Sequence, residues 1–460
     1  GPCLCNADFN MDGLEDIFIG GAKGQSAVLF FQNNDGSFSI ENEIFELDKN
    51  SEDVDCLVGD YNGDGLLDLF VASGGSEFSI FSPELMDRVY FNLGEREFKK
   101  SIESLTTIKK FVSTSTISAN DFDNDGDLDV FLGTRLNSGS YGTTTKSYML
   151  ENDGKGIFTD ITQNVAPDLL KMGMVTDSEF VDINNDNKKE LVVVGEWMPV
   201  KVYEFSNDVF VDISDDLGLD KSNGLYNTLK IVDVNNDSFK DIILGNYGLN
   251  SSFKASIDKP LTLLVNDFDN NRKTEQIIGM YYGNDLYPIV QLKDLWMQIP
   301  VLKKKYLKFE NYKNKKLLEL FSKEIMDKTE KKYVYNLASC ILINDVGKKF
   351  KLEYLPFEAQ LSPIYSILSE NLNNDDYDDI IIGGNITTVK PEFGINNASF
   401  SLLLLGMKDS KFKSLNSKES GLFVKGEIRD IIKVKVNEKD NYIFAVNNSK
   451  LKIFKNANDK

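Results

Sequence analysis

The sequence contains no histidine. That absence removes Ser-His-Asp and Cys-His catalysis, and with them every zinc or iron site that needs an imidazole. Cysteine is scarce as well: Cys3, Cys5, Cys56 and Cys340, with no C-x-x-C pair. Cys56 and Cys340 lie in apolar, strand-like runs and read as buried free thiols, while a redox or metal role for Cys3 and Cys5 is the weaker alternative. No apolar run reaches the roughly 18 residues of a membrane-crossing helix. No signal peptide is visible either; the chain opens abruptly at Gly1 in what reads as a strand, as expected of a mature or trimmed piece of a longer protein. Basic residues are in deficit, 51 Lys and Arg against 72 Asp and Glu, giving a net charge of -21 and a pI of about 4.6. A nucleic-acid partner is excluded on that ground, since phosphate binding needs the opposite balance.

What is present is a large apolar fraction, 41% of 460 residues, with 11% aromatics. That supports a sizeable core and is too much for a disordered chain. Length alone would suggest several domains, but repeat architectures break that expectation. Seven acidic segments align here. They are Asp8 to Asp16, Asp60 to Asp68, Asp121 to Asp129, Asp182 to Glu190, Asp233 to Asp241, Asp267 to Glu275 and Asn371 to Asp379. In each, the first and last candidate ligands stand eight positions apart, while successive starts are separated by 52, 61, 61, 51, 34 and 104 residues. A loop of fixed length on spacers of variable length is what a metal site carried on a repeated sheet requires.

Each segment runs into a short β-branched stretch ending near glycine, as in Asp16 to Gly21, Asp129 to Gly133 and Asp379 to Gly384. These stretches are continuous rather than alternating, so both faces should be buried. A second hairpin follows in most units, with turns such as Asn33 to Phe38, Asn152 to Phe158 and Asn344 to Phe350. Two hairpins make a four-stranded antiparallel sheet, and such sheets repeated radially form a propeller. The expected fold is therefore an all-β, seven-bladed β-propeller spanning residues 1–460, with eight blades as the alternative. The pair Ile428 to Val436 and Tyr442 to Val446 looks like a blade that has lost its acidic loop. Residues 292–332 break the pattern. Leu292, Leu295, Trp296, Ile299 and then Leu317, Leu318, Phe321, Ile325 have helical spacing, and 301–332 carries eleven lysines against five acids. It reads as two helices across one face: a packing cap with a solvated basic side, or an element that docks an acidic surface or glycan.

The loops suit calcium, which takes six to eight hard oxygens in flexible geometry. Positions 1, 3 and 5 supply alternate side chains: Asp8, Asn10, Asp12; Asp60, Asn62, Asp64; Asp121, Asp123, Asp125; Asp182, Asn184, Asp186; Asp233, Asn235, Asp237; Asp267, Asp269, Asn271; Asn371, Asn373, Asp375. Position 7 offers a backbone carbonyl and is free in identity: Leu14, Leu66, Asp127, Lys188, Phe239, Lys273 and Tyr377. Position 9 supplies a last, bidentate carboxylate: Asp16, Asp68, Asp129, Glu190, Asp241, Glu275 and Asp379. Glycine at position 6 (Gly13, Gly65, Gly126) permits the turn; Asn187, Ser238, Arg272 and Asp376 replace it elsewhere. An EF-hand is excluded, because its acid falls at position 12 between helices. Magnesium fits less well, since it keeps several waters. Asx-rich turns without metal are the plainer reading, which leaves position 9 unexplained. Up to seven structural Ca²⁺ ions are expected, and their charge would offset two thirds of the net -21.

These segments resemble the FG-GAP, or VCBS, repeat, the calcium-loop blade of the integrin α-chain head, over nearly the whole chain. A narrower likeness rests on Gly1-Pro2, Gly195 to Pro199, Gly245 to Asn250 with Phe253 to Ala255, Phe321 to Glu324 and Glu358 to Pro363. It is similar to the C-terminal propeller of large Bacteroidota surface proteins that carry VCBS repeats and an ASPIC/UnbV module, akin to the cartilage acidic protein family. The resemblance implies an exported, often lipid-anchored protein at the cell surface or outer membrane, commonly without assigned activity. The ASPIC/UnbV module is not in these residues, and the sixth and seventh loops depart from the strict repeat.

The function expected is a non-catalytic, calcium-stabilised surface module that contacts a glycan, a peptide or an outer-membrane transporter complex. Trp197, Tyr247 and Trp296 are the candidate partner face, with core packing as the competing role for the first two. A calcium-dependent polysaccharide lyase is the second reading, disfavoured by the missing histidine. A scaffold for a longer chain is the third.

Overall fold

A computed structural model describes residues 2–41, 43–108, 110–390 and 394–457; Gly1 of the motifs above lies outside them. The chain is all-β and propeller-like. It holds eight antiparallel sheets, seven of them with at least four strands. In five of those seven sheets the strands follow in plain chain order, as in Leu4–Ala7, Asp16–Ile19, Val28–Gln32 and Phe38–Glu41.

The first strands of seven sheets touch in succession: Leu4–Ala7, Asp53–Gly59, Ser113–Asn120, Met174–Val181, Thr228–Val232, Ile364–Glu370 and Ile428–Val436. The last of these returns to the first, where the Leu4 amide donates to Asp430 Oδ2 at 2.8 Å. Each adjacent pair of these sheets encloses its own apolar cluster. Phe9, Phe18 and Phe31 meet Leu69, Val71 and Tyr90, for example, and Leu4 and Ile17 meet Val434 and Ile443. The second strands feed both neighbours: Val130 and Leu132 face the preceding sheet while Phe131 faces the following one. That is why their sequence is continuously apolar rather than alternating. Edges stay short because each sheet is covered on both faces by the next.

The eighth sheet is nested. The strands Leu261–Asn266, Glu275–Tyr282, Asp285–Pro288 and Glu330–Val334 sit between Asp241–Gly245 and Cys340–Asp345, which pair with each other in a single sheet. This accounts for the 34-residue spacing before the sixth loop: that loop belongs to the inserted sheet. The lysine-rich stretch differs from the expected two helices. It is a series of short turns of helix, Leu292–Gln298, Leu302–Lys305, Phe309–Tyr312, Leu317–Glu319 and Lys323–Asp327. They wrap an apolar cluster of Leu292, Leu295, Ile299, Leu317 and Leu320 against Leu264, Phe268 and Ile277 of the inserted sheet. Pro300 and the lysine-dense segments interrupt what periodicity alone would have joined.

Candidate metal loops and the central channel

Every acidic segment joins the first and second strands of its sheet, in one register. The residue before position 1 pairs with position 9: Ala7 with Asp16, Gly59 with Asp68, Asn120 with Asp129, Val181 with Glu190, Val232 with Asp241, Asn266 with Glu275 and Glu370 with Asp379. Within the loop the chain turns on itself twice. Position 4 has positive φ throughout (Met11, Gly63, Asn124, Asn185, Asn236, Asn270, Asn374), and position 6 does in all but the seventh loop. The sequence reading assigned only position 6 to the turn; asparagine at position 4 in five copies was the overlooked signal.

In the first loop, Asp8 accepts from the amides of Asp12 and Gly13 at 3.0 and 2.8 Å, Asn10 Oδ1 accepts from the Asp12 amide, and Asp12 Oδ1 from the Leu14 amide. The fourth and fifth loops repeat this pattern at Asp182 and Asp233. The loops also touch around the ring. Asn185 Nδ2 donates to the Ser238 carbonyl at 3.1 Å, and Asn236 Nδ2 to the Asp376 carbonyl.

Position 9 does more than the sequence suggested. Asp68 is fully buried; its Oδ2 accepts from the Tyr61 amide at 3.1 Å and its Oδ1 from the Asn92 amide at 2.8 Å. Asp16, Asp241 and Asp379 make the same two contacts, to position 2 and to the third strand. The fixed acid therefore has a reason independent of metal, which corrects the inference that turns alone cannot account for it. Each carboxylate oxygen carries two lone pairs, so these bonds leave capacity toward a cation. Burial first, and then the carboxylates at positions 1, 3 and 5, hold these acids above their usual range: to about 6 for Asp16, Asp68 and Asp241, and about 7 for Asp129 and Glu190.

The third and sixth loops show the best fit to a cation. Carboxylate oxygens of Asp121, Asp123 and Asp129, and of Asp267, Asp269 and Glu275, lie within 4.8 Å of one another and could hold a metal ion. Asp121 Oδ1, Asp129 Oδ2 and Asp269 Oδ1 are buried without a hydrogen-bond partner, as is Asn371 Oδ1 of the seventh loop. An all-oxygen set of this kind suits a hard cation. In the first loop the Asn10 amide nitrogen faces Asp12 Oδ2 at 2.9 Å, and Asn235 faces Asp237 likewise.

A second set of residues escaped the sequence reading. Asn152, read as a turn residue, is 3% exposed; its amide donates to the Tyr61 carbonyl of the preceding sheet's loop at 2.9 Å and to the Leu128 carbonyl of its own loop at 3.2 Å. Asn92 and Asn344 do the same toward Phe9 and Leu67, and toward Ile183 and Lys240. Their own backbone amides are the ones held by position 9, each donating to Oδ1 of its aspartate: Asn92 to Asp68, Asn344 to Asp241 and Asn152 to Asp129. The recurring Asn at the end of the third strand was the available signal.

The first strands surround a channel with a cavity of about 1170 Å³, lined from all seven sheets of the ring. Five residues before position 1 they place Asp55, Asp177, Thr228 and Ser366 in the lining, with Asp430 at the matching place in the last sheet. Asp55 Oδ2 accepts from the Ile117 amide at 2.7 Å and Asp177 Oδ2 from the Leu229 amide at 2.8 Å, each latching its sheet to the next as Asp430 does to Leu4. Burial, with mutual repulsion among the three, pushes Asp55 up to about 8 and Asp430 to about 6.

Of the three aromatics proposed as a partner face, Trp197 is buried, while Tyr247 and Trp296 are half-buried. Trp197 is 4% exposed and packs with Met174, Leu261, Leu263 and the half-buried Tyr247 in the cluster that seats the inserted sheet. Its indole donates to the Tyr141 hydroxyl at 2.9 Å. Trp296 packs against the insertion's own core. The four cysteines are free, with Cys3, Cys56 and Cys340 buried.

A family model described as the FG-GAP-like repeat matches residues 8–71, 60–132 and 121–193. Residues 8–193 thus carry three overlapping FG-GAP-like matches, which support an FG-GAP-repeat, β-propeller-like class. No curated protein matches it in sequence. Among solved structures, it is similar to an Agrocybe aegerita lectin that recognises non-reducing terminal N-acetylglucosamine, with 12% identity over 90% of this chain and 79% of that one, at a TM-score of 0.43. It is also similar to the V. cholerae biofilm matrix protein Bap1 (10% identity, 100% and 88% covered, TM-score 0.40). A third is Saccharomyces cerevisiae Sqt1 (10%, 99% and 98%, TM-score 0.44). At these values the likenesses carry no functional argument.

Proposed function

We propose that this protein is a non-catalytic binding module of the cell surface, a seven-bladed propeller with a nested eighth sheet, stabilised by Ca²⁺ in its acidic loops. One observation carries the reading: the acids that dominate the sequence are committed to turns and to ties between strands. Position 9 joins three strands' worth of backbone, as Asp68 does for Tyr61 and Asn92. A cation bound by Asp121, Asp123 and Asp129, with the Asn or Asp at the matching positions elsewhere, would neutralise repulsion that otherwise opposes folding, so that binding energy becomes folding energy. Calcium supplies charge neutralisation and ligand organisation there; the chain supplies the oxygens and the rigid frame. Export to the cell surface, and a place beside an outer-membrane complex, follow from the resemblance of the repeats to bacterial surface propellers.

The test is thermal unfolding of the chain with excess EDTA, then with Ca²⁺ or Mg²⁺ restored, alongside a count of bound calcium. The melt should fall on chelation and recover with Ca²⁺ more than with Mg²⁺. An unchanged melt would sink the calcium reading. Appearance of unsaturated-uronate absorbance on incubation with uronate polymers would replace the binding role with a lyase.

A further inference from the structure

The channel has one mouth whose polar groups are held by strained backbone. Trp197 has φ +62° and lies at a bulge, where Glu196 pairs with Leu225 and Met198 with Gly224. Bulges re-aim side chains. Here Glu196 is turned to Arg135, whose Nη2 donates to Oε1 at 2.7 Å. That contact engages only one atom on each side: Arg135 Nε and Glu196 Oε2 are both buried without a partner. Asn385, with φ +83°, presents its carbonyl to Arg429 Nη1 at 3.0 Å, and Arg429 Nη2 bonds Glu427 at 2.7 Å. The Arg429 guanidinium lies 4.2 Å from the centre of the Tyr365 ring. No protein group bonds the Tyr365 hydroxyl among the described residues, and Arg135, Tyr141, Tyr365 and Arg429 all line the cavity. Positive φ at a bulky non-glycine residue costs free energy, and such strain collects at binding sites.

We propose that this mouth is a binding site for a neutral saccharide, an inference that rests on the binding-module reading above. A sugar hydroxyl donates and accepts at once, so it answers both kinds of unpartnered group here, the guanidinium N–H at Arg135 Nε and the carboxylate oxygen at Glu196 Oε2. The Tyr365 hydroxyl, on the cavity lining, supplies a third polar contact. Charge selects against an acidic sugar. The cavity lining carries six acids (Glu52, Asp55, Glu77, Asp177, Glu179 and Asp430) against Arg135, Lys230, Arg429 and Lys433. Both mouth arginines already have carboxylate partners. The volume admits several sugar rings rather than one.

The test is an array of neutral and uronate-bearing oligosaccharides probed with the full chain, then titration calorimetry with the strongest neutral hit. Two variants are compared, Glu196→Gln and the milder Tyr365→Phe, which keeps the ring beneath Arg429. Neutral oligosaccharides should be retained, with Glu196→Gln weakening binding about tenfold or more and Tyr365→Phe about threefold to tenfold. Should Glu196→Gln fail to fold, Tyr365→Phe alone decides. Retention of a sugar that neither variant weakens overturns the site while leaving the binding-module reading intact. Preference for uronates overturns the class of ligand. Retention of no saccharide overturns the inference, and a pull-down from outer membranes then decides the module's partner separately.

Discussion

Asn152 gives the sharpest test of how adjacent sheets are held. Its side chain is 3% exposed and donates to two buried carbonyls, Tyr61 of the preceding loop and Leu128 of its own. Asn152→Ala removes both donors and leaves both acceptors without water. A buried acceptor left unpaired costs about 1–3 kcal/mol, so two should cost about 2–6 kcal/mol in all. Asn152→Asp should cost more, because it keeps the volume while aiming carboxylate oxygens at two carbonyls. The assay is urea unfolding at fixed Ca²⁺, followed by fluorescence and circular dichroism together, with the change read from the midpoint at constant slope. Asn344→Ala, making the matching bonds to Ile183 and Lys240, should lose a similar amount. If Asn152→Ala and Asn152→Asp both stay within about 0.5 kcal/mol of the parent, the asparagine does not tie the sheets and the reasoning fails.

Lys110 is 1% exposed and bonds Asp87 at 3.1 Å and the carbonyls of Leu85 and Val112 at 2.8 and 3.0 Å. Lys110→Met should cost about 3–5 kcal/mol by stranding Asp87, measured by the same unfolding assay, whereas restoring charge with Lys110→Arg should recover only part. Asp55 tests the channel. Its folded pKa, about 8, lies above the unfolded value, so the native state holds the extra proton between roughly pH 4 and 8. Its favourable contribution is present below the unfolded value and is lost as pH rises toward 8. Comparing the parent with Asp55→Asn, the parent's relative melting temperature should therefore fall from pH 5 to pH 8; a difference that stays flat with pH would refute the shift.

Much of this architecture was legible in the sequence. The constant span from position 1 to position 9 fixed a hairpin of one register, because the closing pair must recur wherever the loop length does, as Ala7–Asp16 and Glu370–Asp379 show. The continuous apolar second strands announced burial on both faces. The acidic make-up of the loops was readable too, since residue type and spacing are local properties. Other features depended on contacts between residues far apart in the chain. The nested sheet could not be read from spacing, because Asp241–Gly245 and Cys340–Asp345 join only by pairing across the insertion. Asn152 and Asn344 looked like turn residues until the preceding sheet's carbonyls came within reach. Trp197 and Tyr247 looked available because aromatic residues serve cores and ligands alike, and only packing against the inserted sheet decided between them. The sequence alone determined the repeat, its loop and the oxygen-bearing side chains the loop carries, since those reside within nine consecutive residues. Tertiary structure decided how seven sheets close into a ring and which groups meet at its channel, because closure is set by pairwise contacts that no local pattern encodes.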